Sequence, residues 1–361
     1  MRTLSVIFLL FAFACDPSPT TILEGDSSPF DHPQAVVFIG DRLVVANTGY
    51  DVREWRPGGL VVLDLKTLSV QDQIPTARDN PQRLVVDGDR LVVVETGVLD
   101  FSDFERPQVS TTGAVEIFSL TDSGDLETAV QFELDMAPVD LAIQGDRAVV
   151  SSALETAVWS LDLQNLDRGS SLDGPHPLTP AAALGLGSVK PWREGFVAVD
   201  FNSDYAHLLD GDGRPTGCGV DLGSSDAVEG AQSPWIEGDT LYVILAFAGV
   251  VRRVNLEALN TQCTAPVETV VGALGQIPND LHIRGDAVYV VHSADNNVVV
   301  YGLADGLERR RYVLPRGANP WHAAFSDDGR YLAVTEWAGQ GLSVFDLSTG
   351  ARRRVGAPTA R

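Results

Sequence analysis

The stretch Ala35-Val-Val-Phe-Ile-Gly-Asp-Arg-Leu-Val-Val-Ala-Asn47 returns further along the chain as Arg83-Leu-Val-Val-Asp-Gly-Asp-Arg-Leu-Val-Val-Val-Glu95. In each copy an aliphatic run meets Gly-Asp, and a second aliphatic run follows at once. β-Branched side chains fit a pleated surface, and glycine accepts the positive φ of a tight hairpin turn, so each copy predicts a β-hairpin. Later copies stand at Gly145-Asp146, a degenerate Glu194-Gly195, Gly238-Asp239, Gly285-Asp286 and Asp328-Gly329. Counted at Gly40, Gly88, Gly145, Gly195, Gly238, Gly285 and Gly329, the seven copies are spaced by 48, 57, 50, 43, 47 and 44 residues.

Each hairpin continues into a third apolar strand, as in Gly59-Leu-Val-Val-Leu-Asp-Leu65, Ala114-Val-Glu-Ile-Phe-Ser-Leu120, Asn297-Val-Val-Val-Tyr-Gly-Leu303 and Gly341-Leu-Ser-Val-Phe-Asp-Leu347. A more polar fourth strand follows, such as Arg309-Arg-Arg-Tyr-Val-Leu314, which suits a sheet edge. Four strands per copy at this period predict an all-β fold, a seven-bladed β-propeller with four-stranded blades. Adjacent blades supply each other's core, so the chain reads as one domain despite its 361 residues. No segment sustains a period of 3.6 residues with caps, so any helix should be a single turn.

The last copy, Ala318-Asn-Pro-Trp-His-Ala-Ala-Phe-Ser-Asp-Asp-Gly-Arg-Tyr-Leu-Ala-Val-Thr335 followed by Gly341-Leu-Ser-Val-Phe-Asp-Leu-Ser-Thr-Gly350, resembles the YVTN repeat. That family's Pro-Asp-Gly turn is here Asp327-Asp328-Gly329. The resemblance implies a propeller and leaves the chemistry open, because such blades host binding proteins, lactonases and redox enzymes alike. The last repeat finishes its own outer strand near Arg352-Arg353-Arg354. An N-terminal strand from Thr20 to Glu24 therefore either adds to it or lies free.

The first residues read as an address. Met1-Arg2-Thr3 gives a positive start, Leu4 to Ala14 is apolar but for Ser5, and small residues precede Cys15. Eleven apolar residues are too few to span a bilayer, which takes about 20. Ala12-Phe13-Ala14-Cys15 resembles a bacterial lipobox, with alanine where that motif usually starts with leucine. It implies a signal peptide over 1–14 and lipid attachment at Cys15; ordinary cleavage after Ala14 is the alternative. Residues 15–31 then form a lipid-anchored tether, polar and Pro-rich at its start, and 32–361 the propeller. This predicts a lipoprotein of the bacterial cell envelope, at the outer membrane or periplasmic face. In such an oxidising compartment Cys218 and Cys263, in comparable loops of consecutive repeats, are a candidate disulfide.

A formal charge of −23 argues against nucleic acid as a partner. Of 26 basic residues only Lys66 and Lys190 are lysines, and the arginines read as scattered, with no phosphate-binding cluster.

The Gly-Asp turns share one rim, and the long connections share the other. Those include Thr48-Gly-Tyr-Asp-Val-Arg-Glu-Trp-Arg-Pro-Gly58 and the longer run from Thr96 to Thr112. Elaborated loops place function on that second rim. There the segments leading into each innermost strand are polar: His32-Pro33-Gln34, Asn80-Pro81-Gln82, Pro138-Val139-Asp140, Ser233-Pro234-Trp235, Pro278-Asn279-Asp280 and Asn319-Pro320-Trp321-His322. Such Asn, Asp and Gln side chains usually bond nearby backbone and shape the turn. The functional reading makes Gln34, Gln82, Asp140, Trp235, Asn279, Asp280, Trp321 and His322 a binding set at the channel mouth. No cofactor is assigned on sequence. Calcium-dependent gluconolactonases and paraoxonases, related propellers, imply by fold a Ca²⁺ site from Asn80, Glu95, Asp140, Asn279 and Asp280. The Asp210-Gly211-Asp212-Gly213 turn lacks the Glu a calcium loop needs and reads as a hairpin.

The histidines are dispersed, and no nucleophile elbow, nucleotide fingerprint or haem-attachment motif is present. The reading therefore favours a monomeric binding or scaffold module for an envelope protein, peptide or glycan. Loop aromatics Tyr50, Trp55, Phe101, Phe104 and Trp337 would anchor such a ligand, with the membrane met only through the N-terminal lipid. A calcium-dependent lactonase-like hydrolase is the alternative.

Overall fold

A computed structural model describes residues 28–51, 54–55, 57–100, 108–121, 125–163, 172–180, 185 and 187–357. Cys15, the 1–14 signal, the Thr20–Glu24 strand, Phe101 and Phe104 lie outside them. No described helix is long and apolar enough to cross a membrane.

Seven four-stranded antiparallel sheets follow one another along the chain, over 33–75, 81–134, 138–177, 188–221, 231–271, 278–313 and 320–356. They are blades 1 to 7 of a seven-bladed β-propeller. The first and second strands of each blade meet at the repeated turn. Gly40, Gly88, Gly145, Gly238 and Gly285 hold φ between 55° and 60° there, a left-handed conformation that glycine adopts without a Cβ clash. The degenerate blade 4 shifts this conformation onto Arg193 (φ 52°), whose guanidinium is held by Asp239.

The chain divides into two compact units, described in turn. The first comprises Met136–Val290 and Val299–Arg310. Its strands interleave their faces: Val197, Val199, Ala206 and Leu208 of blade 4 pack with Leu241, Val243 and Leu245 of blade 5, all essentially without exposure. Phe196, Ala198 and Leu209, on the opposite face of blade 4, pack with Val149 and Val158 of blade 3. The period-two alternation of each strand thus feeds two cores, and for that reason the runs read as continuously apolar.

The helix Leu256–Gln262 exceeds the single turn expected. Asn255 Oδ1 caps it by accepting from Ala258 N (2.7 Å), Cys263 ends it at φ 56°, and Leu256 and Leu259 anchor it in the blade 5 core. Cys263 is bonded to Cys218 on the outer strand Pro215–Asp221 of blade 4, with Cα atoms 4.8 Å apart. The Asp210 turn is a plain hairpin, in which Asp210 Oδ1 accepts from Asp212 N and Arg214 N.

The second unit comprises the described residues of Ile7–Asp135 with Val291–Val298 and Arg311–Arg361. Blade 7 supplies its own fourth strand, Arg352–Gly356. Blades 7 and 1 meet through a shared core of Phe30, Val36, Leu43, Val45, Ala333, Leu342 and Val344. Two polar bonds also cross that seam: Thr335 Oγ1 to Gln34 O (3.2 Å) and Val36 N to His322 Nδ1 (3.4 Å).

Candidate functional site

A recurring backbone device shapes the segments that lead into the first strands. His32, Asn80, Ser233, Ile277 and Asn319 each precede a proline and each hold φ between 46° and 62°. Bulky residues rarely adopt that region. In three of the five the turned carbonyl accepts a hydrogen bond from the loop after the second strand: Thr48 N to His32 O, Thr96 N to Asn80 O, and Trp337 N to Asn319 O. Asn80 adds Nδ2 to Gly97 O (3.1 Å) and is 2% exposed; Gln82 Nε2 in turn donates to Asn80 Oδ1. Asparagine tolerates this conformation and bonds locally, and both properties are used at position 80.

Two residues past the proline lies a second device. Asp140, 3% exposed, accepts from its neighbour Leu141 N and from Val189 N (3.2 Å) and Lys190 Nζ (3.4 Å), the last two on the first strand of blade 4. His322 does the same across blades 7 and 1 through Nδ1. A side chain at this position thus latches the first strand of the following blade.

In blades 5 and 6 the latch becomes a cluster. Asp280 accepts from Ser233 Oγ (2.8 Å) through Oδ1, and its Oδ2 lies 3.0 Å from His282 Nε2. The His282 ring is tilted against Trp235 with centroids 5.0 Å apart. Gln232 Nε2 donates to Pro278 O, tying the same two strands. Asp280 and His282 share a face because they are two residues apart on a strand, a signal available in sequence. Ser233 joins them only through the inter-blade register. Here serine and histidine both bond the carboxylate rather than each other, so this is no serine nucleophile with its base.

The structure thus brings Asp140 to Lys190, Asp280 and Trp235 to His282, His322 and Gln34 to the blade 7–blade 1 seam, and Gln82 to Asn80. Asn279 and Trp321 are half-buried. Trp337 is not a surface anchor: it is 8% exposed and its ring lies 4.6 Å from that of His32. Among the described residues, no three His, Cys, Asp or Glu come together in a way that could hold a metal ion.

Glu95 lies beside a second carboxyl on the third strand of its own blade. It is fully buried and accepts from Arg78 N through Oε2, and Glu116 beside it accepts from Ala77 N (3.1 Å). Burial, then the hydrogen bond and repulsion from Glu116, push the Glu95 carboxyl up to about 9. At neutral pH Glu95 therefore keeps its proton in the folded chain. Sequence reasoning missed Glu116 as its partner, because Glu95 stands opposite Ala114 and meets Glu116 only on the diagonal.

Blade 4 has a comparable buried pair of positions. Burial raises Asp200 to about 6 against donation from Asn202 N and Ser203 N, and burial lowers His207 to about 4.

The second-to-third-strand connections of blades 1 and 2 each carry an added two-stranded ladder, Tyr50–Asp51 with Glu54–Trp55 and Leu99–Asp100 with Gln108–Val109.

No protein-family model matches the chain, and no curated protein matches it in sequence. Solved structures share its fold. The periplasmic gluconolactonase PpgL of Pseudomonas aeruginosa is 18% identical with a TM-score of 0.63, over 87% of this chain and 96% of that one. The β-propeller domain of Cps50 (Swd1) from Myceliophteria thermophila is 13% identical with a TM-score of 0.61, over 91% and 98%. A chain of the mitotic checkpoint complex is 12% identical with a TM-score of 0.62, over 92% and 90%. At these identities the likeness shows the seven-bladed propeller and nothing finer.

Proposed function

We propose that this chain is an exported, lipid-anchored propeller of the bacterial envelope that binds a protein, peptide or glycan on the rim carrying its long connections. The observation that carries this reading is the pair of added ladders in consecutive blades 1 and 2, set against the two-residue turns at the other end of the same strands. Extra chain that adds nothing to the blade core is where binding loops are found. The likeness to a periplasmic protein and to a member of a protein complex supports the same reading.

A photo-crosslinking residue at Gln108 of the full chain, expressed in its own envelope, is expected to give discrete adducts, whereas one at Asp89 in an opposite turn gives none. Equal labelling at both positions would sink the reading. Incorporation of labelled palmitate, abolished by Cys15→Ser, tests the anchor separately.

The fold likeness to a gluconolactonase motivates a second reading, calcium-dependent hydrolysis. Such an ion needs six to eight oxygens, whereas Asp140, Asp280, Asn80 and Glu95 each already accept from a protein donor through at least one oxygen. Millimolar Ca²⁺ is expected to leave the melting temperature unchanged. A rise that follows ligand linkage would move the assignment to the hydrolase.

A further inference from the structure

Nine of the 24 arginines fall within residues 309–361 beside four acids, so this stretch carries +5 while the other 308 residues carry −28. The fold gathers six of the nine on two outer strands. Arg309, Arg310 and Arg311 stand on Glu308–Val313 of blade 6, and Arg352, Arg353 and Arg354 on Arg352–Gly356 of blade 7. Arginines that read as scattered in sequence are therefore concentrated on edges. The strands are joined where Arg352 Nη1 donates to Val313 O (3.0 Å).

Arg310, Arg311, Arg316 and Arg352 are exposed. Leu307 and Val313 bracket the arginine triplet at 61% and 62% exposure, well above any other exposed large hydrophobic among the described residues. Charged side chains on an edge strand are a common guard against edge-to-edge pairing. That accounts for charge, but it accounts neither for the excess of arginine over acid on these strands of an acidic chain nor for two bared aliphatic side chains beside it. Cationic and apolar side chains interspersed on one exposed strip suit an anionic lipid interface, where guanidinium groups meet phosphates and aliphatic groups reach the acyl boundary.

The path of the chain points the same way. Ser28 Oγ donates to Gln340 O (2.9 Å), and Ala357 N, just past the end of Arg352–Gly356, donates to the same oxygen (3.1 Å). The N-terminal segment therefore joins the domain beside the arginine-bearing strand of blade 7. Only 12 residues separate Ser28 from Cys15, a reach of at most about 45 Å. A lipid on Cys15 would hold this edge at high effective concentration near the headgroups. Repulsion from the acidic remainder fades beyond a Debye length of about 8 Å at physiological salt.

We propose that the arginine-bearing outer strands of blades 6 and 7, with Leu307 and Val313, rest on anionic phospholipid headgroups of the membrane that holds the lipid anchor. The orientation rests on that anchor, whereas the affinity of the edge does not. The test therefore uses the full chain carrying Cys15→Ser, co-sedimented with vesicles of phosphatidylcholine alone or of phosphatidylcholine with phosphatidylglycerol as the anionic lipid. Binding to the anionic vesicles is expected to exceed binding to the neutral ones at least tenfold and to weaken with salt. The variant R310Q/R311Q/R316Q should lose most of it with an unchanged melting temperature; R252Q/R253Q, on blade 5, should keep it. L307S/V313S should lower binding at high salt more than at low salt. Equal binding to both vesicle types, retention by the triple variant, or preferential capture of soluble polyphosphate over vesicles would overturn the proposal.

Discussion

Replacing Glu95 with Gln is expected to stabilise the propeller at neutral and alkaline pH. The folded-state carboxyl is raised from 4.5 to about 9 by burial and by Glu116. A group raised in this way favours folding fully below its unfolded value, and that favour is lost as pH climbs through the folded value. At pH 7 the unfolded chain has released the proton and the folded chain must still hold it. At 1.36 kcal/mol per unit, the cost is about 3 kcal/mol. Glutamine removes the titration while its Nε2 donates to Glu116 and its Oε1 accepts from Arg78 N. The melting temperature should rise by about 4 °C at pH 7, more at pH 8.5, and hardly at all at pH 4, given the unfolding entropy usual for a chain of this size. Melting curves for both proteins across this range decide it. A parallel offset at all pH values, or destabilisation by E95Q at pH 8.5, would show that the fold does not hold Glu95 protonated.

The pair at Glu95 is one version of an interior position that every blade repeats. The last residue of the second strand and the third strand's diagonal neighbour are Glu95 and Glu116 in blade 2, Asp200 and His207 in blade 4, and Glu336 and Ser343 in blade 7. Blade 7 completes the site with Arg354 from its fourth strand, whose Nε lies 2.8 Å from Glu336 Oε2. Blade 2 places Gln131 at the position matching Arg354 and so leaves its two acids without a cation between them. The repeat is thus conserved in backbone and varied in buried charge. That variation marks where stability is sensitive to pH, and blade 2 is where it should be largest.

This position also shows what was legible in the sequence and what was not. Turn chemistry and strand alternation are local, so the Gly-Asp hairpins and the four-stranded blades can be read from stretches of a dozen residues. Even the degenerate copy at Gly195 keeps its hairpin, because Arg193 takes over the left-handed position. The roles of Asp140, Ser233, Asp280 and His322 depend on which group of the neighbouring blade falls opposite them, 47 to 49 residues away in three of the bonds and 286 in the fourth. No local pattern encodes that register. The polar segments at the first strands were legible as a set, and their bonds to adjacent blades were not. Trp337 reads as an anchor by composition and is buried because the loop after the second strand is stitched back to Asn319.

The bridge between Cys218 and Cys263 is where loss of one bond should cost most. It joins the outer strand of blade 4 to the end of the blade 5 helix and closes a loop of 45 residues. Chain-entropy arguments give about 4 kcal/mol for a loop of this length, a fall of about 5 °C in melting temperature for a chain of this size. C218S/C263S and the reduced wild-type protein should fall alike, since both lose the same restraint. The position of Cys263 permits a finer test. It holds φ 56° as the residue that ends the helix, a conformation costing a side-chain-bearing residue roughly 1 kcal/mol that glycine does not incur. C218S/C263G should therefore recover about 1 kcal/mol relative to C218S/C263S while leaving the thiol chemistry equally absent. Free thiols titrating in the native protein before reduction would show that the bridge does not form. Equal stability of the serine and glycine variants would show instead that the helix end relaxes once the bridge is gone.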